Sequence, residues 1–281
     1  MHTAPLPSLY LSHGSPMIAV EDSPTQRFFK QLGPVFESCF GRPRAVVIMS
    51  PHSMSRTPVV LGAARHGTLH DFGGFPEALY QVQYNAPGDT ALAQRVSELL
   101  SHSGHPMPCV PEGGLDHGIW TPLMHLWPDV SMPVVPVMLP ALAGPVELLR
   151  MGQALEPLAH EQVLVIGSGS LTHNLHRVFA SAMPAVDAPE AGDCAAFRRW
   201  VHLQAQDLNW QALLDWRAQA PHALAMHPTD EHWRPFYFAA GAAGQHPDAR
   251  RIHADVEFGC LSMDAYAFGP SAARLLQALR P

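Results

Sequence analysis

The chain has 281 residues, 47% hydrophobic and 15% charged, with a formal net charge of −7 and 18 histidines. That apolar content excludes a disordered chain, and one lysine (Lys30) with scattered arginines gives no basic stripe for nucleic acid. No run approaches the about 20 apolar residues of a membrane span.

No basic leader precedes an apolar run at the N-terminus. Cys39, Cys109, Cys194 and Cys260 lie far apart, with no C-x-x-C pair for a zinc ribbon and no disulfide framework. A reduced, cytoplasmic protein is the expectation.

Taken in chain order, Ser8 to Leu11 is a short apolar run that ends in Ser12-His13-Gly14. Ala45 to Met49 has a buried-strand pattern and ends in Ser50-Pro51-His52. Asp89 to Leu100 places Leu92, Val96, Leu99 and Leu100 on one helical stripe, with Asp89 as the N-cap. A helix is expected at Trp120, after the glycine-flanked loop Gly114 to Gly118. Val134 to Leu139 and Val163 to Ile166 are further strands, with a helix from Pro145 to Leu158 between them. Asp193 to Leu208 and Glu231 to Ala240 follow as helices, the second capped by Thr229 or Asp230, and Ser271 to Leu279 closes the chain.

Continuous β-branched runs suit strands covered on both faces. Alternating strands and helices predict an α/β fold: one domain over residues 1–281, a central, largely parallel or mixed sheet, and helices on both faces. There is no internal repeat, and the Pro/Ala-rich stretch from Met183 to Pro189 reads as a loop.

The histidines carry the functional signal. His13, His52 and His173 each follow a strand, and ligands in open α/β sheets bind beyond the carboxyl ends of strands. His117 lies in the glycine-flanked loop. His227 and His232 flank Pro228 to Glu231, which puts His232 in the first turn of the expected helix. There a neutral imidazole escapes the unfavourable helix dipole that a cation would feel. Neutral imidazoles are ready ligands for zinc, iron or copper. The other twelve histidines, such as His2, His102 and His246, are read as ordinary surface or core residues.

Familiar motifs are absent. His160-Glu161 is not followed by the second histidine of H-E-x-x-H, and His227 to His232 is one residue too long for the inverted zincin spacing. Gly167-Ser168-Gly169 lacks the third glycine of a dinucleotide fingerprint, G-x-S-x-G is missing, and no Gly-Lys pair exists for a Walker A loop.

Seven segments in order carry a resemblance: LYLSHGSPM (Leu9 to Met17), MSPHS (Met49 to Ser53), DFGGFPEALYQVQYNAPG (Asp71 to Gly88), GLDHGIWTPL (Gly114 to Leu123), GSGSLTHNL (Gly167 to Leu175), HPTDEHWRP (His227 to Pro235) and LSMDAYAFG (Leu261 to Gly269). Over nearly its whole length the chain resembles the DODA-type (4,5-DOPA) extradiol ring-cleavage dioxygenases. These are class III relatives of the catalytic subunit of protocatechuate 4,5-dioxygenase. The resemblance implies one divalent metal ion held by His13, His52 and His232, with Fe(II) for activity and Zn(II) able to occupy the same ligands in purified protein. It implies His173 as the acid–base histidine, and His117 and His227 as substrate-binding or supporting residues. The implied partners are a small aromatic diol and O2, without nucleic acid or membrane, on a monomer or small homo-oligomer.

In the protocatechuate enzymes the position matching His232 is a carboxylate; here EHWRPFYFAAGAA follows the DODA branch. Two departures stand out: Gly73 replaces the aromatic of DFYGFP, and Asn85 replaces the proline of YPAPG. The first bears on pocket size and substrate, and neither touches the metal histidines. The rival readings of the same residues are a zinc hydrolase on the same three histidines and a non-enzymatic interaction protein on this scaffold.

Overall fold

A computed structural model describes residues 4–179, 183–245 and 247–280; His2 and His246 lie outside them. The apolar runs pair as one six-stranded sheet: β1 (Ser8–Ser12), β2 (Ala45–Met49), β3 (Val134–Pro136), β4 (Val163–Gly169), β5 (Ala249–His253) and β6 (Ala265–Phe268). The spatial order is β3-β2-β4-β1-β6-β5. The first four strands run parallel, and β6 is antiparallel to both β1 and β5, so the sheet is mixed.

Alternate residues face opposite sides of a strand, and both sides are filled. Leu9, Leu11, Val46, Ile48, Leu164 and Ile166 pack with α1 (Pro24–Phe40), α3 (His117–Leu126) and α7 (Ala272–Leu279). Tyr10, Val47, Met49, Val163 and Val165 pack with α2 (Thr90–His102), α4 (Pro145–Ala154), α5 (Gly192–Gln206) and α6 (Pro235–Gly241). This double cover is why the strands carry no polar alternation. Among the described residues no helix is long and apolar enough to cross a membrane.

Asp89 caps α2 as expected, its carboxylate accepting the Leu92 N–H at 2.9 Å. The stretch from Met183 to Pro189 is irregular. Other expectations shift. The run from Val134 to Leu139 leaves the main sheet at Pro136, and Leu139–Pro140 pairs with Met54–Ser55 instead. The Pro145 to Leu158 helix stops at Ala154 and gives way to a 3-10 turn over Glu156–Glu161. α1 is not evident in the sequence because Gly33-Pro34 interrupts its pattern, although Ser23 caps it and Phe28, Phe29, Leu32 and Phe36 bury one stripe. β5 and β6 give no clear strand signal either, since ARRIH is polar and AYAF is short.

The difference that matters for the site is at His232. It is not in a helix: residues 231–234 form a hydrogen-bonded turn, in which the Trp233 and Arg234 N–H groups donate to the Asp230 carbonyl, and α6 begins at Pro235. Proline has no N–H to donate to Glu231, so it opens a helix rather than continuing one. The His232 carbonyl is left free to bind the sheet. It accepts from the Ser170 N–H at 2.9 Å and the Tyr10 hydroxyl at 3.2 Å. The close approach requires glycine in β4: a Cβ at Gly169 would stand 2.1 Å from the His232 carbonyl oxygen, and one at Gly167 2.0 Å from that of Pro235.

Candidate metal centre

The carboxyl ends of β2, β4 and β1, adjacent in the sheet, bring the sequence-predicted residues together. His13 follows β1 directly, its N–H bonded to the Gly169 carbonyl at 2.9 Å. His52 rides the turn after β2. Ser50 and Ser53 on either side donate their hydroxyls to Asp116 at 2.7 and 2.5 Å. His232 arrives on the docked turn. The Nε2 atom of His52 lies 3.2 Å from that of His13 and 3.3 Å from that of His232.

The far nitrogens fix the tautomers. Ser168 donates its hydroxyl proton to the Gly118 carbonyl, so the His13 Nδ1, 3.0 Å from Ser168 Oγ, must be the donor. The Nδ1 of His52 faces Asp71 Oδ2 at 3.4 Å, and that of His232 faces Glu231 Oε1 at 3.1 Å. With each Nδ1 protonated toward an acceptor, each Nε2 carries a bare lone pair. Three lone pairs aimed at one another are repulsive on their own and fit one cation between them. Asp71 and Glu231 add negative charge beside them, and no Lys or Arg among the described residues pairs with either.

Burial reinforces this. Desolvation, then neighbouring histidines, hold His13 and His232 well below the ordinary imidazole value. Desolvation, together with the nearby His117, brings His52 down to about 3 despite the opposing pull of Asp71. A metal therefore meets neutral ligands with little competition from protons.

Two more expected residues border the cluster. The His173 ring stacks on His232 with centroids 3.5 Å apart and 9° between planes. It is brought down to about 4, chiefly by desolvation. The ring of His117, the first residue of α3, lies 3.9 Å from that of His52. Phe72 packs edge-on to His117 at 5.7 Å, and Tyr80 and Trp120 stand behind Phe72.

His227 is not among the converging rings. It is fully buried among Phe197, Trp216 and Trp233, and its Nε2–H donates to the Leu171 carbonyl at 2.8 Å, two residues before His173. At Gly73 a Cβ would meet nothing within 4 Å, so the position borders open space. The Asn85 Oδ1 accepts from the N–H and hydroxyl of Thr68, at the base of the loop that holds Gly73.

Sequence reasoning does not single out Asp71, Asp116, Ser168 and Glu231 as site residues. All four lie inside the quoted motifs, and that is the only signal they give. Burial acts to raise the Asp71 carboxyl, but the hydrogen bonds from His117 outweigh it and leave it below the ordinary value. Asp116 is pushed up by burial, against its two serine donors.

Comparisons with known proteins place the chain in a family. Residues 7–269 match the family described as the catalytic LigB subunit of aromatic ring-opening dioxygenase. A protein named 4,5-DOPA dioxygenase extradiol from Beta vulgaris is 34% identical over 93% of this chain and 96% of its own. A protein of the same name from Escherichia coli (strain K12) is 32% identical over 96% and 97%. The crystal structure of uncharacterized protein JW3007 from Escherichia coli K12 superposes with a TM-score of 0.76 at 28% identity, covering 94% of this chain and all of that one. The chain thus belongs to the family of catalytic LigB subunits of aromatic ring-opening dioxygenases.

Proposed function

We propose that this chain, as a single catalytic domain, is a non-haem Fe(II)-dependent extradiol dioxygenase. It opens the ring of a catechol, DOPA-like or otherwise substituted, with O2. The observation that carries the reading is the meeting of the Nε2 atoms of His13, His52 and His232, each with an acceptor facing its Nδ1, beside His117 and His173. The names of the relatives support the reaction class.

His13, His52 and His232 would hold the metal through Nε2 as a three-histidine set with open positions. A bound ferrous ion supplies Lewis acidity toward catechol hydroxyls and the redox chemistry toward O2. The three imidazoles would add no negative charge of their own to the bound ion, which would favour a catecholate anion beside it. His117, its Nδ1–H committed to Asp71, offers Nε2 as an acceptor for a catechol hydroxyl. His173 is neutral at physiological pH and takes a catechol proton on its ring, to return it later. His227 holds the segment that carries His173. Phe72, with Tyr80 and Trp120 behind it, excludes water on the His117 side.

The test is to load the protein with ferrous iron anaerobically, add a panel of catechols and admit oxygen. A yellow product heavier by two oxygen atoms is expected. Iron-loaded protein inert across the panel rejects the activity, and ester or amide hydrolysis that persists without oxygen would favour a zinc hydrolase.

A further inference from the structure

Asp71 stands in the loop before the short helix Glu77–Tyr80, and its two oxygens accept two N–H groups of His117 and stand beside the His52 ring. Oδ1 accepts the backbone N–H of His117 at 2.8 Å. Oδ2 accepts the Nδ1–H of the same residue at 2.9 Å and lies 3.4 Å from the Nδ1 of His52. The backbone contact has a local cause. His117 opens α3, where N–H groups lack helical partners, and the capping position before it belongs to Asp116. The Asp116 carboxylate makes no cap because both its oxygens are taken by Ser50 and Ser53. A carboxylate from 46 residues away fills that role instead.

The consequence reaches two rings. An ionised carboxylate only accepts, so His117 keeps its proton on Nδ1, and the negative charge 3.4 Å from the His52 Nδ1 favours a proton on that nitrogen too. His52 must then turn its lone pair toward His13 and His232, and His117 must turn its own away from Asp71. The same loop carries Phe72 against the His117 ring.

We propose that Asp71 is a positioning residue that couples the metal-holding His52 to the substrate-facing His117, fixing both as Nδ1–H tautomers through one carboxylate. The inference rests on the roles given to His52 and His117 above. A residue that merely capped α3 would affect folding but neither the metal nor the substrate of the folded protein.

Asp71→Asn keeps the shape but leaves one acceptor oxygen and presents an NH2 group, which cannot accept from an imidazole N–H. In the full chain, the zinc dissociation constant measured by chelator competition should rise about 10- to 100-fold, the range for losing a group that orients a metal ligand. In ferrous-loaded protein, KM for a catechol that the wild type cleaves should rise by at least about 10-fold. In wild-type zinc-loaded protein with 15N-labelled histidine, His52 and His117 should both show Nδ1–H. That readout needs no variant, so it decides the matter even if Asp71→Asn fails to fold.

The coupling is overturned by an Nε2–H on His117, or by a variant in which either the zinc constant or KM stays within about twofold of wild type. Wild-type protein that neither holds zinc nor cleaves a catechol instead removes the site reading, and the inference with it. Wild-type binding and turnover alongside an unaltered Asp71→Asn would sink the inference alone.

Discussion

Two buried polar clusters flank the end of β1 and follow opposite rules. In the first, Arg198 on α5 donates to Asp264, to Glu190 at 2.7 Å and to Ser262 at 3.1 Å, while Arg251 reaches the second oxygen of Asp264 at 3.3 Å. Burial works against the Arg198 charge, but Asp264 and Glu190 outweigh it and raise its pKa. Each charge there has an opposite charge, and the network closes on itself. In the second cluster, His13, His52 and His232 are neutral, and their Nδ1 atoms are partnered while their Nε2 atoms face one another. A structural cluster uses up its donors and acceptors. The histidine cluster satisfies its outer atoms and keeps the inner ones free, as the proposed metal centre requires.

The sharpest way to break this contrast is to remove the inner ligands. His13→Ala, His52→Ala and His232→Ala should each lose retained zinc to background, measured as metal content after desalting. Retention in all three would overturn the assignment of the centre. Next in size, His173→Ala should keep wild-type metal content while turnover falls about 10²- to 10⁴-fold; metal lost along with turnover would make His173 part of the metal set.

The closed cluster should behave in the opposite way. Arg198→Met leaves the Asp264 charge with Arg251 as its one cation among the described residues and should cost up to about 3 kcal/mol in urea unfolding, while the surviving folded protein still binds zinc. Zinc loss at unchanged stability would erase the distinction between the clusters.

The smallest effect concerns a lone buried carboxyl. Burial, with Asp255 and Glu21 adding to it, raises Glu257 from the ordinary 4.5 to about 7. The folded state therefore holds a proton that the unfolded chain releases, and stability falls as pH rises from 4.5 through 7. Glu257→Gln should be more stable than wild type at pH 8 by on the order of 2 kcal/mol. The advantage should vanish below the unfolded value near 4.5. An advantage that persists undiminished at low pH would show that charge is not its cause.

The legible parts are those written locally. Apolar runs mark four of the six main-sheet strands, although the run from Val134 to Leu139 outlasts its strand. The strand-end positions of His13, His52 and His173 point to one edge of the sheet from residue order alone. β5 and β6 are not legible, because their place comes from pairing with β1 and with each other rather than from periodicity. His232 is legible as a residue but not in its setting: Pro235 moves the helix start past it, and Gly167 and Gly169 let its turn lie on the sheet.

The sequence by itself therefore determined the α/β class, the double-covered strands and the histidines placed at strand ends, since hydrophobic runs and strand ends are short-range features. Only the tertiary structure decided which nitrogen each histidine presents. Ser168, Asp71 and Glu231 set the tautomers of His13, His52 and His232. Two of these three partners come from segments remote in the chain, and contacts of 3.0 and 3.4 Å exist only once the fold has brought their ends together.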